Sequence, residues 1–221
     1  MQKEILRYFL NTYIKDFFEE FVAPAHCVVC GKKLYDSFIC KDCASKIEYN
    51  EYPLIFHKDM LYYFGMTKYA GVIKIVITKF KFQNYKVIAK FLSEQIIRFT
   101  EEQNINFETI GYVPMTKREE SERGYNQTYL IAKEISIKTN KPLFEGLYKI
   151  RETERQSKLS KKERETNLKN AFRVDVDINK DILIVDDVFT TGSTAKEVCD
   201  IISKRNKNNS IYFVAVSRAL D

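Results

Sequence analysis

Two adjacent carboxylates, Asp186 and Asp187, close the apolar run Ile182-Leu183-Ile184-Val185 and lead through Val188 and Phe189 into Thr190-Thr191-Gly192-Ser193-Thr194. A buried strand that empties into a turn of Thr, Gly and Ser aims successive backbone N–H groups and hydroxyls at one point. The helix that begins there adds its positive end. Such a point holds a phosphate monoester. Gly192 lets the backbone approach the phosphate and adopt a conformation that a β-carbon would resist. One strand-end away, the paired carboxylates suit the vicinal hydroxyls of a ribose and would draw a divalent ion bound to the sugar. The candidate ribose and phosphate contacts are therefore Asp186, Asp187, Val188, Thr190, Thr191, Gly192, Ser193 and Thr194. Each half of the run also has a purely structural use, Asp-Asp as a turn and Thr-Thr-Gly-Ser as a helix cap, but the whole is much rarer than either piece. It lacks the Gly-Lys-Ser/Thr ending of a nucleoside-triphosphate loop and the spaced glycines of a dinucleotide fold, so both of those readings fall.

A second chemistry lies near the start of the chain. Cys27-Val-Val-Cys30 and Cys40-Lys-Asp-Cys43 are two Cys-x-x-Cys knuckles, each able to present two thiolates to one tetrahedral zinc ion. Gly31 supports a tight turn just after the first pair. Neither pair opens an evident thioredoxin-like βαβ unit, which weighs against a redox role. Four thiolates already close a structural site, so His26 and His57 are read as ordinary residues, and Cys199, between Val198 and Ile201, as a core cysteine.

These groups need a scaffold, and the chain is long enough to build one. At 221 residues and 45% hydrophobic content it can bury one sizeable core with a small module appended. Apolar strand candidates are Leu61 to Gly65, Thr109 to Val113, Leu143 to Tyr148, Asp181 to Val185 and Ile211 to Val216. Helical patterns separate them at Ala70 to Lys79, Val87 to Phe99, Tyr125 to Ile137 and Ser193 to Ser203. Strands alternating with helices predict an α/β fold, a parallel sheet covered on both sides. Residues 2–21 carry a wide apolar stripe from Ile5 to Phe21, the pattern of a helix docked on its own protein, with a partner groove or a membrane surface as the alternatives. The predicted organisation is an amphipathic helix over 1–21, a zinc ribbon over 22–50 and the α/β domain over 58–221. No run approaches a membrane span of about 18 apolar residues, and Met1 to Glu20 lacks the apolar centre and cleavage site of a signal peptide, so a cytoplasmic protein is expected.

Charge is distributed unevenly. From Met60 to Ser93 there is no Asp or Glu, while Lys68, Lys74, Lys79, Lys81, Lys86 and Lys90 add six positive charges, equal to the formal net charge of +6. Lys79, Phe80, Lys81, Phe82 and Lys86 interleave cations with rings, a pattern suited to single-stranded DNA if the rings are exposed. The alternative is an amphipathic helix with buried aromatics and a solvated basic face. Residues 151–170 are dense in charge and nearly free of apolar side chains, the pattern of either an exposed helix or a mobile loop placed to cover a substrate.

The run from Ile182 to Thr194 is similar to the fingerprint of type I phosphoribosyltransferases, in which the paired acids hold ribose and the Thr-Thr-Gly-Ser-Thr segment holds the 5-phosphate. Two further segments resemble the ComF competence family, which joins an N-terminal zinc ribbon to such a domain. One is Val113-Pro114-Met-Thr-Lys117-Arg118-Glu-Glu-Ser-Glu-Arg123-Gly124-Tyr125-Asn126-Gln127. The other comprises Arg151-Glu-Thr153, Gln156-Ser-Lys-Leu159, Arg164-Glu-Thr-Asn167 and Ala171-Phe172. Thr116 stands where the family often has His, and Glu119 and Glu120 where more basic residues are common. The resemblance implies binding of 5-phosphoribosyl-1-pyrophosphate with Mg²⁺. It makes Lys117, Arg118 and Arg123 pyrophosphate-loop candidates, and Arg151, Gln156, Arg164 and Asn167 flexible-loop candidates. It also implies a part in uptake of transforming DNA beside competence proteins. Phosphoribosyl transfer to an unknown acceptor is one implied activity, and DNA handling without catalysis is the other.

Overall fold

The computed structural model describes residues 26–35, 37–153, 168–206 and 208–219. The helix expected over 2–21 and the loop candidates Gln156, Arg164 and Asn167 lie outside the described residues. The chain divides after Lys46 into two units.

In the first unit, His26 and Lys33 form an antiparallel bridge that folds the first Cys-x-x-Cys into a tight loop, closed by Gly31 N–H donating to the Cys27 carbonyl at 2.9 Å. Gly31 has a φ of +76°, the left-handed backbone such a turn requires. The second Cys-x-x-Cys opens α1 (Lys41–Ala44), a single helical turn. Val28, Phe38 and Ile39 are buried beside the cysteines.

The second unit is built on a five-stranded sheet. β1 (Leu54–Lys58) lies at its edge, antiparallel to β2 (Leu61–Lys68). β2 leads into α2 (Gly71–Phe82) and α3 (Ile88–Glu102), which return the chain to β3 (Thr109–Tyr112) at the far edge. Two helices follow, α4 (Lys117–Arg123) and α5 (Gln127–Thr139), and then β4 (Leu147–Lys149) pairs antiparallel with β5 (Phe172–Val174) as a small separate sheet. The chain ends as β6 (Ile182–Phe189), α6 (Ser193–Ser203) and β7 (Ile211–Arg218). Sheet order is β1-β2-β7-β6-β3, with β2, β7, β6 and β3 parallel.

The burial follows from the sequence. β6 and β7 are near-continuous apolar runs because both of their faces are covered. Ile182 and Ile184 pack in one cluster with Ala195, Val198 and Cys199 of α6 and with Leu147, Phe172 and Val174 of the small sheet. α3 and α5 pack against each other, and α5 also packs on β3 and β6. α2 buries Val72, Ile73, Val76, Ile77 and Phe80, spaced for one helical face.

Besides β1 and β5, which were not among the expected strands, three elements differ from the sequence expectation. The strand expected over Leu143 to Tyr148 is divided: Leu143 makes an isolated bridge to Ile110, and β4 begins only at Leu147. The break falls at Gly146, where a β-carbon would lie 2.8 Å from both Phe144 and Val176. β6 continues past Val185 through both aspartates to Phe189, because β7 is long enough to pair with it up to Phe189↔Arg218. The segment after Thr116, read from sequence as a loop, forms α4.

Candidate functional site

Because Asp186 and Asp187 are inside a strand, they point to opposite faces of the sheet. Asp186 shares its face with Ile182 and Ile184, the face that α6 covers. Asp187 lies on the other, beneath the end of α2 and the start of α5. There it is almost wholly buried, and both of its oxygens are taken. Lys81 Nζ from α2 lies 2.6 Å from Oδ1, and Gln127 Nε2 from α5 donates to Oδ2 at 2.5 Å. Asp186 accepts from the Asp187 backbone N–H at 2.8 Å, its one hydrogen bond among the described residues. Burial, and then the negative charge of Asp187, push the Asp186 carboxyl up to about 8 against the opposing pull of Lys81.

The turn that follows matches the sequence reading in its local geometry. Gly192 has a φ of +80° and is the N-cap of α6, with no side chain closing the helix start. A β-carbon there would meet the Phe189 ring at 2.7 Å, in a backbone region L-residues avoid. The Thr191 and Ser193 hydroxyls are 2.9 Å apart, Thr190 is exposed, and Thr194 and Val188 are partly open. The first N–H groups of α6 and these hydroxyls thus stand at the end of β6, a donor set suited to a tetrahedral anion.

Arg123-Gly124-Tyr125-Asn126-Gln127 is a brace. Gly124 ends α4 in the left-handed conformation, and Asn126 caps α5 by accepting from the N–H groups of Thr128 and Tyr129. The Tyr125 hydroxyl donates to the Phe80 carbonyl. Gln127 reaches Asp187 while accepting from Arg123 Nη1 at 2.6 Å, and the Arg123 guanidinium sits 5.5 Å from the centre of the Phe82 ring. One polar chain therefore runs from the end of α2 through this turn to the acid pair.

The other pyrophosphate-loop candidates are placed differently. Thr116 and Glu119 form a reciprocal capping box at the start of α4, which gives these two departures from the family pattern a structural use. Lys149 lies 2.6 Å from Glu119, and despite burial these partners hold the Glu119 carboxyl below its ordinary value. Arg118 is exposed and pairs with Glu122 and Glu152. Lys117 is exposed. Of the flexible-loop candidates, Arg151 is described, and its guanidinium donates to the Lys169 carbonyl at 2.8 Å.

Among the expected DNA contacts, Phe80 needs correction: it is fully buried under α2 and cannot stack on a base. Lys81 aims its ammonium at Asp187. Lys79 lies over the Tyr85 ring and Lys86 over the Tyr125 ring, both partly exposed, while Phe82 is 66% exposed. The linkage of Lys81 and Gln127 to Asp187 was missed from sequence, since the three residues stand far apart in the chain. Only the polarity of Gln127 beside a helix cap hinted at a buried partner.

In the first unit, the sulfurs of Cys27, Cys30, Cys40 and Cys43 all lie within 4.8 Å of one another, and Cys30 Sγ and Cys40 Sγ are 3.8 Å apart. None is in a disulfide. A tetrahedral ion with metal–sulfur bonds of about 2.3 Å spaces its sulfurs at about 3.8 Å, so these four cysteines fit one metal ion. Burial would raise Cys27, but the backbone N–H groups of Cys30, Cys40 and Val29 bring it down to about 6. Cys43, buried among neighbouring thiols, is pushed up to about 12.

Fold and site together define an α/β domain with a largely parallel sheet and a glycine-capped turn at the end of β6, preceded by a four-cysteine module that fits one metal ion. Competence protein F of Haemophilus influenzae is 30% identical over 198 residues, covering 80% of this chain and 84% of that protein. Competence protein ComFC of Bacillus subtilis is 25% identical over 198 residues, covering 87% and 78%. The DNA utilization protein YhgH of Escherichia coli is 31% identical over 141 residues, covering 61% and 62%. The chain belongs to the ComF competence family. No protein-family model matches it. Among solved structures, it is similar to the glutamine phosphoribosylpyrophosphate amidotransferase of B. subtilis, with a TM-score of 0.36 and 17% identity over 58% of this chain and 25% of that one. The adenine phosphoribosyltransferase of Leishmania tarentolae gives a TM-score of 0.36 and 11% identity over 59% and 70%. Likeness at that level adds nothing to the site geometry. No described helix is long and apolar enough to cross a membrane.

Proposed function

We propose that the second unit binds 5-phosphoribosyl-1-pyrophosphate with Mg²⁺, and that the protein serves DNA uptake or utilisation, the roles its relatives' names carry. The observation that carries the reading is the acid pair at the end of β6, next to a glycine-capped helix start lined by Thr191 and Ser193. The N–H groups of that turn hold the 5-phosphate, and the carboxylates meet the ribose. Burial beside a second carboxylate leaves Asp186 short of positive charge, so its carboxylate fits a divalent ion carried on the sugar ligand. Arg123 and Lys117 add positive charge for the leaving group. Phosphoribosyl transfer requires stabilising that leaving charge and excluding water at C1, with the acceptor unknown. In the first unit, the four cysteines hold structural zinc.

Calorimetry with metallated protein, phosphoribosyl pyrophosphate and Mg²⁺ tests the site. Saturable binding is expected, abolished by Asp186→Lys with Asp187→Lys in a variant that still melts cooperatively. No heat from the wild-type protein, or retained affinity in the double variant, would sink the assignment.

A second reading rests on the exposed Phe82 ring beside Arg123, with Lys79 and Lys86 nearby: a single-strand contact surface. Oligonucleotide affinity should fall steeply between 50 and 200 mM salt, by roughly 10-fold or more for a few phosphate contacts. It should also drop when Lys79 and Phe82 are both replaced by Ala. Binding indifferent to salt would dismiss this surface.

A further inference from the structure

In the sequence pattern the two aspartates look equivalent, and Lys81 belongs to a basic stretch with no evident tie to them. Three observations separate the acids. They face opposite sides of β6, and only Asp186 shares the face on which α6 and its glycine-capped start lie. Asp187 has both oxygens engaged at 2.6 and 2.5 Å by side chains that are themselves anchored: Gln127 by Arg123, and the end of α2 by the Tyr125 hydroxyl on the Phe80 carbonyl. The Asp187 side chain is 6% exposed and that of Lys81 20%, so the pair is out of bulk solvent and its geometry is held. Asp186 is partly open and accepts just one backbone hydrogen bond from the described residues.

We propose that Lys81, with Gln127, is a positioning residue of the sugar-phosphate site. It locks Asp187 as an anchor and leaves Asp186 as the carboxylate that meets the vicinal hydroxyls of a pentose 5-phosphate. This rests on the sugar-phosphate reading above and divides its roles. Lys81 supplies the charge that lets two adjacent carboxylates coexist at the end of one strand, and by holding Asp187 it fixes the backbone on which Asp186 is carried. The ammonium acts from beneath the sheet, on the face away from the phosphate turn. Its influence therefore falls on the diol end of the ligand and not on the 5-phosphate.

The test compares wild type, Lys81→Met and Lys81→Arg by calorimetry with three probes: phosphoribosyl pyrophosphate with Mg²⁺, ribose 5-phosphate, and inorganic phosphate. Lys81→Met is expected to weaken both sugar phosphates by about 10–100-fold, the range typical of residues that orient a ligand-binding group, and to leave inorganic phosphate unchanged. Lys81→Arg is expected to restore most of the sugar affinity, because a guanidinium can still pair with Asp187. Loss confined to the pyrophosphate-bearing ligand would overturn the proposal in favour of direct contact between Lys81 and pyrophosphate. Equal loss of inorganic phosphate, or no rescue by Arg, would reduce Lys81 to a general structural residue. If wild type binds both sugar phosphates and Lys81→Met binds them as well, the division of roles fails while the site stands. If wild type binds neither, the site reading fails and this inference with it.

Discussion

Asp187→Asn should destabilise the second unit by about 2–3 kcal/mol, while Asp186→Asn, one residue away, should stabilise it by roughly 2 kcal/mol at pH 8. The opposite signs follow from the partners. Removing the Asp187 charge leaves the Lys81 ammonium, only 20% exposed, without its counter-ion, and removing one member of a buried pair costs more than the pair itself contributes. Asp186 has no ion pair among the described residues. Its carboxyl ordinarily titrates at 3.8 but is raised to about 8 in the folded chain. Between those values the unfolded chain binds fewer protons than the folded one, so this group draws stability down as pH rises from about 4 to about 8, with no further loss above. Asp186→Asn should therefore flatten that decline, and its advantage should vanish below about pH 4. Thermal melts of both variants across this pH range check the claim. Two variants shifting in the same direction would show that the acids are not divided as described. A carboxylate whose removal strengthens the fold while weakening a ligand site is held there by function.

Removing zinc should unfold the cysteine module outright. Val28, Phe38 and Ile39 are its buried apolar side chains outside the cysteines among the described residues, and each contributes about 1.5–3 kcal/mol on burial. Ordering backbone costs about 1–2 kcal/mol for every residue, so these three side chains alone do not hold the loops around the cysteines. Zinc bound by four thiolates contributes about 10–16 kcal/mol in comparable modules, and its loss is then loss of fold. Cys40→Ser, or a strong chelator, should release one zinc per chain and abolish hydrogen-exchange protection at Val28 and Cys40. β6 and β7 should keep theirs. Protection that persists in the metal-free chain would show that the hydrogen bonds of the bridge and turns suffice.

The α/β class, the buried strands β6 and β7, α6 from Ser193 to Ser203 and the four-cysteine cluster were legible in the sequence. Each is written locally: unbroken apolar runs, a 3.6-residue period, a glycine after hydroxyls, and paired Cys-x-x-Cys. The capping box of Thr116 and Glu119 was also written there, but the family pattern drew the segment toward a loop. β1 was missed because an edge strand with Leu54 and Phe56 exposed carries no pattern of burial. Tertiary structure alone decided that Phe80 points inward and Phe82 outward, since helical phase, not composition, sets which ring meets solvent. It alone brought Lys81 and Gln127 onto Asp187, because contacts between residues distant in the chain depend on how helices pack across a sheet. Local spacing specifies which groups a strand end carries. Only packing determines which of them are held by the protein and which remain for a ligand.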